Sequence, residues 1–240
     1  MYKRVGIIGG MGPAATCDLM MKIIEMTEAA CDQEHIHVLV DSNVNIPDRT
    51  AALLSGGEDP VPEMLASARR LESIGADFLI LPCNTAHCFL PRLEGQVSIP
   101  FLSMPVETAA LLKRKGVKTA AVLATDGTVK SGLYEKALAA EGIKAIYPDE
   151  EQQKQVMSLI YDYIKKGITD PAVLPHDMIV TIVGDLKRRG AEALLLACTE
   201  LPLAFDITGI DDDTCVDPTR VLAAAAIREA GAKLRTDVIL

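Results

Sequence analysis

The feature that most constrains the fold of this chain is an internal repeat. Segment 75–83 aligns with segment 190–198, and the 115 residues that separate Cys83 from Cys198 define the offset. The same offset pairs other residues of the two halves, among them Gly12 with Gly127, Pro60 with Pro175, Leu71 with Leu186 and Gly116 with Gly231. Because one register runs through nearly the whole chain, the sequence predicts two units of common structure, each with a cysteine at an equivalent position.

Short apolar runs alternate with longer segments of helical spacing, which predicts an α/β fold. The predicted strands are 5–8, 36–40, 78–81, 100–102, 120–123, 144–147, 193–197 and 214–216, and the predicted helices include 14–30, 62–74, 129–141, 150–166, 172–189 and 218–232. This order favours mainly parallel sheets covered by helices. We therefore expect two similar α/β subdomains, 1–103 and 104–240, related by a pseudo-twofold axis with the active site in the cleft between them. Part of the C-terminus is expected to pack on the N-terminal lobe.

Composition excludes several classes of partner. The 240 residues carry a net charge of −9, and only 4% of them are aromatic. An acidic chain without a basic cluster or a stacking platform is a poor ligand for nucleic acid or an anionic membrane. No apolar run approaches the roughly 18 residues that span a bilayer, and the run after residues 1–4 breaks at Gly9. We expect a cytoplasmic protein with a small-molecule partner.

Cysteine and histidine spacing gives no sign of a disulfide framework or a metal site. Six cysteines are sparse for a chain of this length, and none forms Cys-x-x-Cys. The four histidines lack zinc-ligand spacing, and His35 and His37 are interpreted as residues at a strand entry. The cysteines outside the repeat are interpreted as packing residues: Cys17, Cys31, Cys88 and Cys215.

Cys83 and Cys198 both lie at the end of a predicted strand, where parallel sheets bind their ligands. A helix that begins there presents unpaired N–H groups, which stabilise a thiolate and can also hold a carboxylate. Polar residues follow both cysteines: Asn84 and Thr85 the first, Thr199 and Glu200 the second. One buried cysteine at a strand end is usually inert, but two at equivalent positions suggest paired chemistry.

Two matched acid/base groups suit the inversion of a stereogenic carbon. If one cysteine is a thiolate and the other a thiol, the first removes a proton and the second returns one to the opposite face. Enantiomers have equal energy in water, so such an enzyme must work in both directions.

At these residues the chain resembles the aspartate/glutamate racemase superfamily, over essentially its full length. The resemblance lies in the Gly9–Pro13 loop, in segment 82–87 around Cys83 and in segment 197–200 around Cys198. It implies a cofactor-independent isomerase, without pyridoxal phosphate or metal, that uses the cysteine pair and forms a homodimer. Within the superfamily the chain most resembles the aspartate racemases.

The resemblance also implies two cationic substrate contacts, Arg49 from segment 46–50 and Lys165 from segment 164–167, with Lys166 as the alternative to Lys165. The repeat supports this pair, because the offset carries Arg49 to position 164. A dianionic substrate needs local positive charge, and Arg and Lys both bind carboxylates.

The remaining site assignments come from the same loops. Asn84, Thr85 and Thr199 are expected to hold the α-carboxylate, with Glu200 in support. Met11 in the first loop and Thr125 in its equivalent, where Thr128 also lies, are expected to line the substrate. His87 either orients Cys83 or lies on a helix surface.

Several alternatives stay open. Segment 10–15 fits G-x-G-x-x-A, which permits a dinucleotide-dependent oxidoreductase but leaves the twin cysteines unexplained. A two-lobed amino-acid-binding module would capture an anion without turning it over. Glutamate racemase, hydantoin racemase, maleate isomerase and a decarboxylase are the alternatives within the superfamily. Glutamate is hard to exclude, since one methylene gives only about 1–3 kcal/mol of discrimination. The sequence favours interconversion of L- and D-aspartate.

Overall fold

The computed structural model describes residues 2–240 and divides into two compact units. The first unit takes in the chain up to Glu107 and then Thr219–Leu240, whereas the second is the continuous segment Thr108–Pro218. Among residues 2–240, no helix is both long enough and apolar enough to cross a membrane.

The first unit contains a three-stranded parallel sheet with strand order β2-β1-β3. Its strands are β1 (Val5–Gly9), β2 (Val38–Ser42) and β3 (Phe78–Ile80). The helices of this part of the chain are α1 (Pro13–Met26), α2 (Arg49–Leu54), α3 (Val61–Ser73), α4 (Leu90–Leu93) and α5 (Met104–Arg114), the last of which continues into the second unit.

The second unit contains a four-stranded parallel sheet with strand order β5-β4-β6-β7. Its strands are β4 (Thr119–Leu123), β5 (Lys144–Ile146), β6 (Ala193–Leu196) and β7 (Cys215–Val216). Its helices are α6 (Asp126–Lys130), α7 (Leu133–Ala140), α8 (Glu150–Ser158), α9 (His176–Arg188) and α10 (Glu200–Thr208), and α11 (Pro218–Ala230) returns to the first unit. Two α/β subdomains with parallel sheets are confirmed.

The repeat is visible in the backbone of both units. Helix α9 begins and ends 115 residues after α3. The loops that follow these helices turn at Gly75 and Gly190, each with φ of +94°. Equivalent hydrogen bonds then tie the next residues to the sheet, from Asp77 N–H to the Arg4 carbonyl and from Glu192 N–H to the Thr119 carbonyl.

Alternating side chains of β1 face two different apolar clusters. Val5 and Ile7 belong to a cluster that includes α1 and α11 residues, whereas Ile8 packs with residues of α3. The α11 residues in the first cluster include Leu222 and Ile227, both fully buried. This burial explains why α11 belongs with the first unit. The lobes predicted at 1–103 and 104–240 differ from these contact-based units at residues 104–107 and 219–240, and as a description of the repeat they stay a prediction.

Several predicted elements differ in detail. Segment 100–102 forms only an isolated bridge between Phe101 and Leu79, because the chain turns into α5 at Met104. Segment 129–141 is divided between α6 and α7 by Gly132, whose φ is +66°. Helix α10 was not among the predicted helices, and Pro202 near its start conceals its pattern. Cys17 and Cys31 are exposed, so their interpretation as packing residues is wrong.

Candidate active site

Cys83 lies just beyond the carboxyl end of strand β3. Cys83 is 7% exposed, and a 3₁₀ turn, Thr85–Phe89, follows it. Asn84 and Thr85 are also buried, so the polar residues predicted beside the thiol are enclosed with it. The sulfur is therefore held in a desolvated setting at the strand end, as expected for a site in a parallel sheet.

His87 is a buried residue that fixes the Cys83 backbone. Its Nδ1 lies 2.8 Å from the Cys83 carbonyl, and its Nε2 accepts a hydrogen bond of 3.1 Å from the Met104 N–H. These bonds assign the neutral tautomer with the proton on Nδ1. Burial lowers the His87 pKa to about 4, which keeps the ring neutral at physiological pH. The surface alternative is wrong, and because both ring nitrogens bind backbone groups, His87 orients the Cys83 segment and does not serve as a base.

Arg49 opens α2 and joins two loops of the first unit. Its Nη1 donates to the carbonyls of Ile46 and Pro47 at 3.1 and 3.0 Å, and its Nη2 donates to the Met11 carbonyl at 3.0 Å. Its Nε is buried without a partner. The guanidinium thus presents an unsatisfied donor beside the loop of Met11, and in the described part of the chain no carboxylate pairs with it. An anionic ligand would satisfy this donor.

The loop between β1 and α1 is tightly built. Gly10 has φ of +89°, and a Cβ atom there would lie 2.3 Å from the Asn43 backbone. The Gly10 N–H donates to Thr16 Oγ1 at 2.9 Å. Met11, which follows, is 2% exposed. Glycine lets the first loop approach the loop after β2 closely enough for Arg49 to reach the Met11 carbonyl.

Cys198 occupies the equivalent position in the second unit, between β6 and α10. It is 7% exposed, and Thr199 occupies the N-cap position of the helix that begins at Glu200, without a capping bond from its side chain. The thiol donates to Glu200 Oε2 at 3.0 Å, and the Thr199 hydroxyl donates to the same oxygen at 3.1 Å. Glu200 Oε1 accepts a hydrogen bond of 2.7 Å from Lys165 Nζ. A cysteine, a carboxylate and an ammonium group therefore lie in one connected chain.

Burial and the charge of Glu200 together favour the protonated thiol of Cys198. Burial, followed by the charge of Glu200 and its hydrogen bond, raises the Cys198 pKa well above its ordinary value. Burial opposes the charged form of Glu200, but Lys165 and the bonds from Cys198 and Thr199 outweigh it and lower the Glu200 pKa. The nearby carboxylate therefore opposes the stabilisation that the helix start offers to a thiolate at this position.

Lys165 and Lys166 have different surroundings. Both lie in a 3₁₀ turn, Ile164–Lys166, which follows a π-helical turn after α8. Lys165 reaches Glu200, and its Nζ lies 5.6 Å from the ring centroid of Tyr161. Lys166 is 63% exposed and pairs with Asp162 on its own segment. Of these two lysines, Lys165 is therefore the one that contacts Glu200, the carboxylate that binds Cys198.

Thr125 lies after β4, in the loop equivalent to that of Met11. Its hydroxyl caps α6 by accepting the Thr128 N–H at 3.4 Å, and both threonines are buried. The capping bond gives the Thr125 hydroxyl a structural role at the start of α6. Lining of the substrate by Thr125 stays a prediction.

Residues 2–240 contain no cluster of three His, Cys, Asp or Glu side chains placed to hold a metal ion. Independence from metals and from pyridoxal phosphate stays a prediction of the sequence.

Two repeated parallel α/β units, each with a buried cysteine beyond the end of a strand, are the arrangement expected of a two-cysteine isomerase, and comparisons with known proteins identify the family. A sequence profile of the Asp/Glu/Hydantoin racemase family matches residues 8–226. The chain belongs to that family, and it is assigned to the isomerases as a racemase. The resemblance stated from its motifs is confirmed.

Individual relatives agree with this membership. A structure titled Picrophilus torridus aspartate racemase is 35% identical, with a TM-score of 0.84, and the alignment covers 98% of this chain and 97% of that chain. The broad specificity amino-acid racemase RacX of Bacillus subtilis (strain 168) is 28% identical over 237 residues, which cover 90% of this chain and 96% of the relative. Glutamate racemase from Francisella tularensis subsp. tularensis SCHU S4, solved with D-glutamate, is 15% identical with a TM-score of 0.68, over 95% of this chain and 80% of that chain, and shares the fold.

The sequence missed the connections among the site residues. Lys165 and Glu200 are 35 positions apart in the sequence, and no local sequence pattern predicts that they pair. The burial of His87 was hidden because a 3₁₀ turn, and not a regular helix, follows Cys83. The Cys198–Glu200 bond was within reach of the sequence, since a carboxylate two residues after a strand-end cysteine was already visible.

Proposed function

We propose that this protein is an aspartate racemase that interconverts L- and D-aspartate by a two-base mechanism without a cofactor. The observation that carries the proposal is the pair of buried cysteines, Cys83 and Cys198, at equivalent strand ends of two repeated units. Membership of the Asp/Glu/Hydantoin racemase family supports inversion at a carbon centre.

In this reaction a thiolate removes the α-proton from one face of the bound amino acid. The second cysteine, as a thiol, donates a proton to the opposite face, and the configuration is inverted. The cysteine that was a thiolate then carries a proton, and the other is a thiolate. Because the α-proton of a carboxylate is weakly acidic, desolvation and oriented donors must lower the barrier.

Arg49 supports a carboxylate as the group recognised in the first unit. Its buried Nε lacks a partner, and its other donors bind backbone carbonyls, so its positive charge is retained for an anion. In our proposal Arg49 and Lys165 hold the side-chain carboxylate. Asn84, Thr85 and Thr199, with nearby N–H groups, hold the α-carboxylate, while Met11 and Thr125 line the substrate.

Lys165 is already engaged by Glu200 at 2.7 Å. A substrate carboxylate would therefore share this ammonium with Glu200, which an ammonium permits because it has three N–H donors. Lys165 is a better candidate than Lys166, whose contact is with Asp162 on the surface.

A glutamate or broader racemase is the second candidate. The similarity to RacX, which is described as having broad specificity, favours it. The similarity to the Picrophilus torridus aspartate racemase, at higher identity and coverage, favours aspartate. The proposal also includes a homodimer located in the cytoplasm, and light scattering of the purified protein would test its mass.

The deciding experiment is proton NMR of L-aspartate and L-glutamate in heavy water with protein freed of metals and cofactors. Racemisation of aspartate predicts loss of the α-proton signal together with formation of the D-isomer. Faster reaction of glutamate would select the second candidate. Exchange of the α-proton without inversion, or no reaction with either amino acid, would contradict the two-base proposal.

Cysteine variants test the mechanism directly. We expect Cys83→Ser and Cys198→Ser each to lower racemisation at least about 10³-fold, because a hydroxyl is a far weaker acid than a thiol. Cys17→Ser is the matched control, since Cys17 is exposed and lies outside both strand ends. Near-normal turnover in either active-site variant would show that the pair is not the acid/base machinery.

A further inference from the structure

The two cysteines of the repeat have different neighbours two residues further along the chain. The offset that relates Cys83 to Cys198 also relates Thr85 to Glu200. The first cysteine therefore has a hydroxyl at the place where the second has a carboxylate, and only the carboxylate exchanges protons near neutral pH. This difference concerns the one property on which a two-base enzyme depends, which is the transfer of protons at its cysteines.

A two-base racemase must restore its protonation state after each turnover in one direction. Conversion of one enantiomer leaves both cysteines in the opposite protonation state from the start. Before the same enantiomer can react again, a proton must leave one sulfur and another must reach the second. A buried thiol in slow exchange with water would limit this step, so a proton-carrying neighbour is useful.

We propose that Glu200 is the group through which Cys198 gains and loses its proton between turnovers, an assignment that rests on the two-cysteine reaction proposed above. When Cys198 is a thiolate, protonated Glu200 gives its proton to Sγ and becomes a carboxylate. When Cys198 must become a thiolate, Glu200 Oε2 accepts the thiol proton. Water restores Glu200 in both cases, and no oxidant or further reactant is needed.

The contacts supply a continuous route for this proton. Cys198 Sγ lies 3.0 Å from Glu200 Oε2, and Glu200 Oε1 lies 2.7 Å from Lys165 Nζ. The Glu200 side chain is 11% exposed, whereas that of Lys165 is 27% exposed. The proton route thus runs from the enclosed sulfur to Glu200, whose partly exposed side chain exchanges protons with water, while Lys165 as an ammonium holds the carboxylate and accepts no proton.

Lys165 sets how readily Glu200 accepts a proton. Its ammonium stabilises the carboxylate form, which disfavours proton transfer from Cys198 while the ion pair is intact. In the substrate-free protein, where the exchange between turnovers takes place, this ion pair is intact, so the carboxylate is the resting form of Glu200.

Other groups face Cys198 or its partners, and they do not supply the same function. Tyr134 interacts electrostatically with Cys198 and Asp217, but burial raises the Tyr134 pKa, so its hydroxyl stays protonated. Tyr161 contacts Lys165 through its ring. Thr199 donates to Glu200 and has no acidic proton in this range. Glu200 is the carboxylate that bonds the thiol directly.

Thiolate absorbance at 240 nm measures the Cys198 contact without substrate. The difference between Cys83→Ser and Cys83→Ser/Cys198→Ser isolates the titration of Cys198. We expect Glu200→Gln, added to both, to lower the apparent pKa of Cys198 by about one unit or more, because a negative charge is removed. An unchanged titration would overturn the contact on which the proposal depends.

Turnover then separates proton exchange from simple electrostatics. If Glu200 only raised the thiol pKa, Glu200→Gln would leave turnover intact or increase it. As the exchange group, its loss is expected to lower kcat for aspartate about 10²-fold in both directions and to lower KM with it, because the slowed step lies between product release and the next binding. Glu200→Asp should recover much of the rate. Glu192→Gln is the control, since Glu192 accepts only a backbone N–H from Lys118 on the surface. A kcat for Glu200→Gln within about threefold of the unmodified protein would overturn the proposal. If the unmodified protein turns over no amino acid, the proposed function fails, and the titration still reports on Glu200.

Discussion

The Arg49 guanidinium binds three backbone carbonyl groups, so it supplies a positive charge and also connects two loops of the first unit. Lysine keeps the charge but cannot reach Met11, Ile46 and Pro47 together. We expect Arg49→Lys to raise the KM for aspartate about tenfold or more and to lower the free energy of unfolding by about 1–3 kcal/mol. Steady-state kinetics and urea unfolding measure the two effects.

Arg92→Lys is the control for Arg49. Arg92 forms an exposed ion pair with Asp59, and such pairs contribute about 0–1 kcal/mol. We expect Arg92→Lys to leave the KM for aspartate unchanged. Equal KM values for Arg49→Lys and the unmodified protein would remove Arg49 from the substrate contacts.

His87 makes stability depend on pH. Its pKa of about 4 lies below the ordinary value of 6.5, so between these values the unfolded chain binds a proton that the folded protein excludes. The contribution of His87 to the free energy of unfolding is therefore fully present above pH 6.5. It is lost as the pH falls towards 4, which lowers the free energy of unfolding by about 3 kcal/mol. His87→Gln, which stays neutral, should lack this decrease in urea unfolding measured at pH 7 and pH 4.5.

The matched control for this prediction is His176→Gln, at a half-exposed position on the second unit. Its unfolding should retain the pH dependence of the unmodified protein. An identical pH dependence in His87→Gln would mean that His87 titrates freely in the folded state.

The loop between β1 and α1 requires glycine for two separable reasons. Gly10 has φ of +89°, and a Cβ atom there also collides with Asn43. Gly56 has φ of +68° with open space around it, so Gly56→Ala tests the backbone conformation alone. We expect Gly56→Ala to cost about 1 kcal/mol and Gly10→Ala clearly more, with a loss of kcat/KM because the Met11 carbonyl moves away from Arg49. Thermal unfolding and kinetics check this, and equal costs would contradict the collision.

The sequence predicted the elements that the repeat controls. Strands β1, β3, β4 and β6 and helices α3 and α9 follow from apolar runs at a constant offset, because burial on both faces of a parallel sheet demands such runs. The cysteines at the strand ends followed from the same pattern. Glu200 with Lys165, and Arg49 with its carbonyls, depend on loops that the alternation of strands and helices leaves undetermined.

The return of α11 to the first unit was only partly foreseen, as a C-terminal segment packing on the N-terminal lobe. An apolar helix can pack on either of two similar sheets, and the sequence of the helix alone does not determine which sheet it covers. Burial of Leu222 and Ile227 against residues of β1 and α1 shows which was chosen.

This packing predicts that a change in α11 weakens the first unit in particular. Leu222→Ala removes a fully buried side chain and should cost about 2–5 kcal/mol. Ile239→Ala, at a position 84% exposed, is the control and should be nearly neutral. Hydrogen exchange should accelerate in β1 and α1 more than in β4 and β6. Equal acceleration in both sheets would mean that the two units unfold together.

The order in which the units can fold differs from the order in which they are synthesised. Residues up to Glu107 leave the ribosome first, yet the apolar face of β1 that α11 covers stays open until Thr219–Leu240 have been made. The second unit is continuous and has its complete core before that point. While residues 108–218 are being synthesised, the first unit of a nascent chain therefore keeps an uncovered apolar surface, which is the kind of surface that chaperones bind.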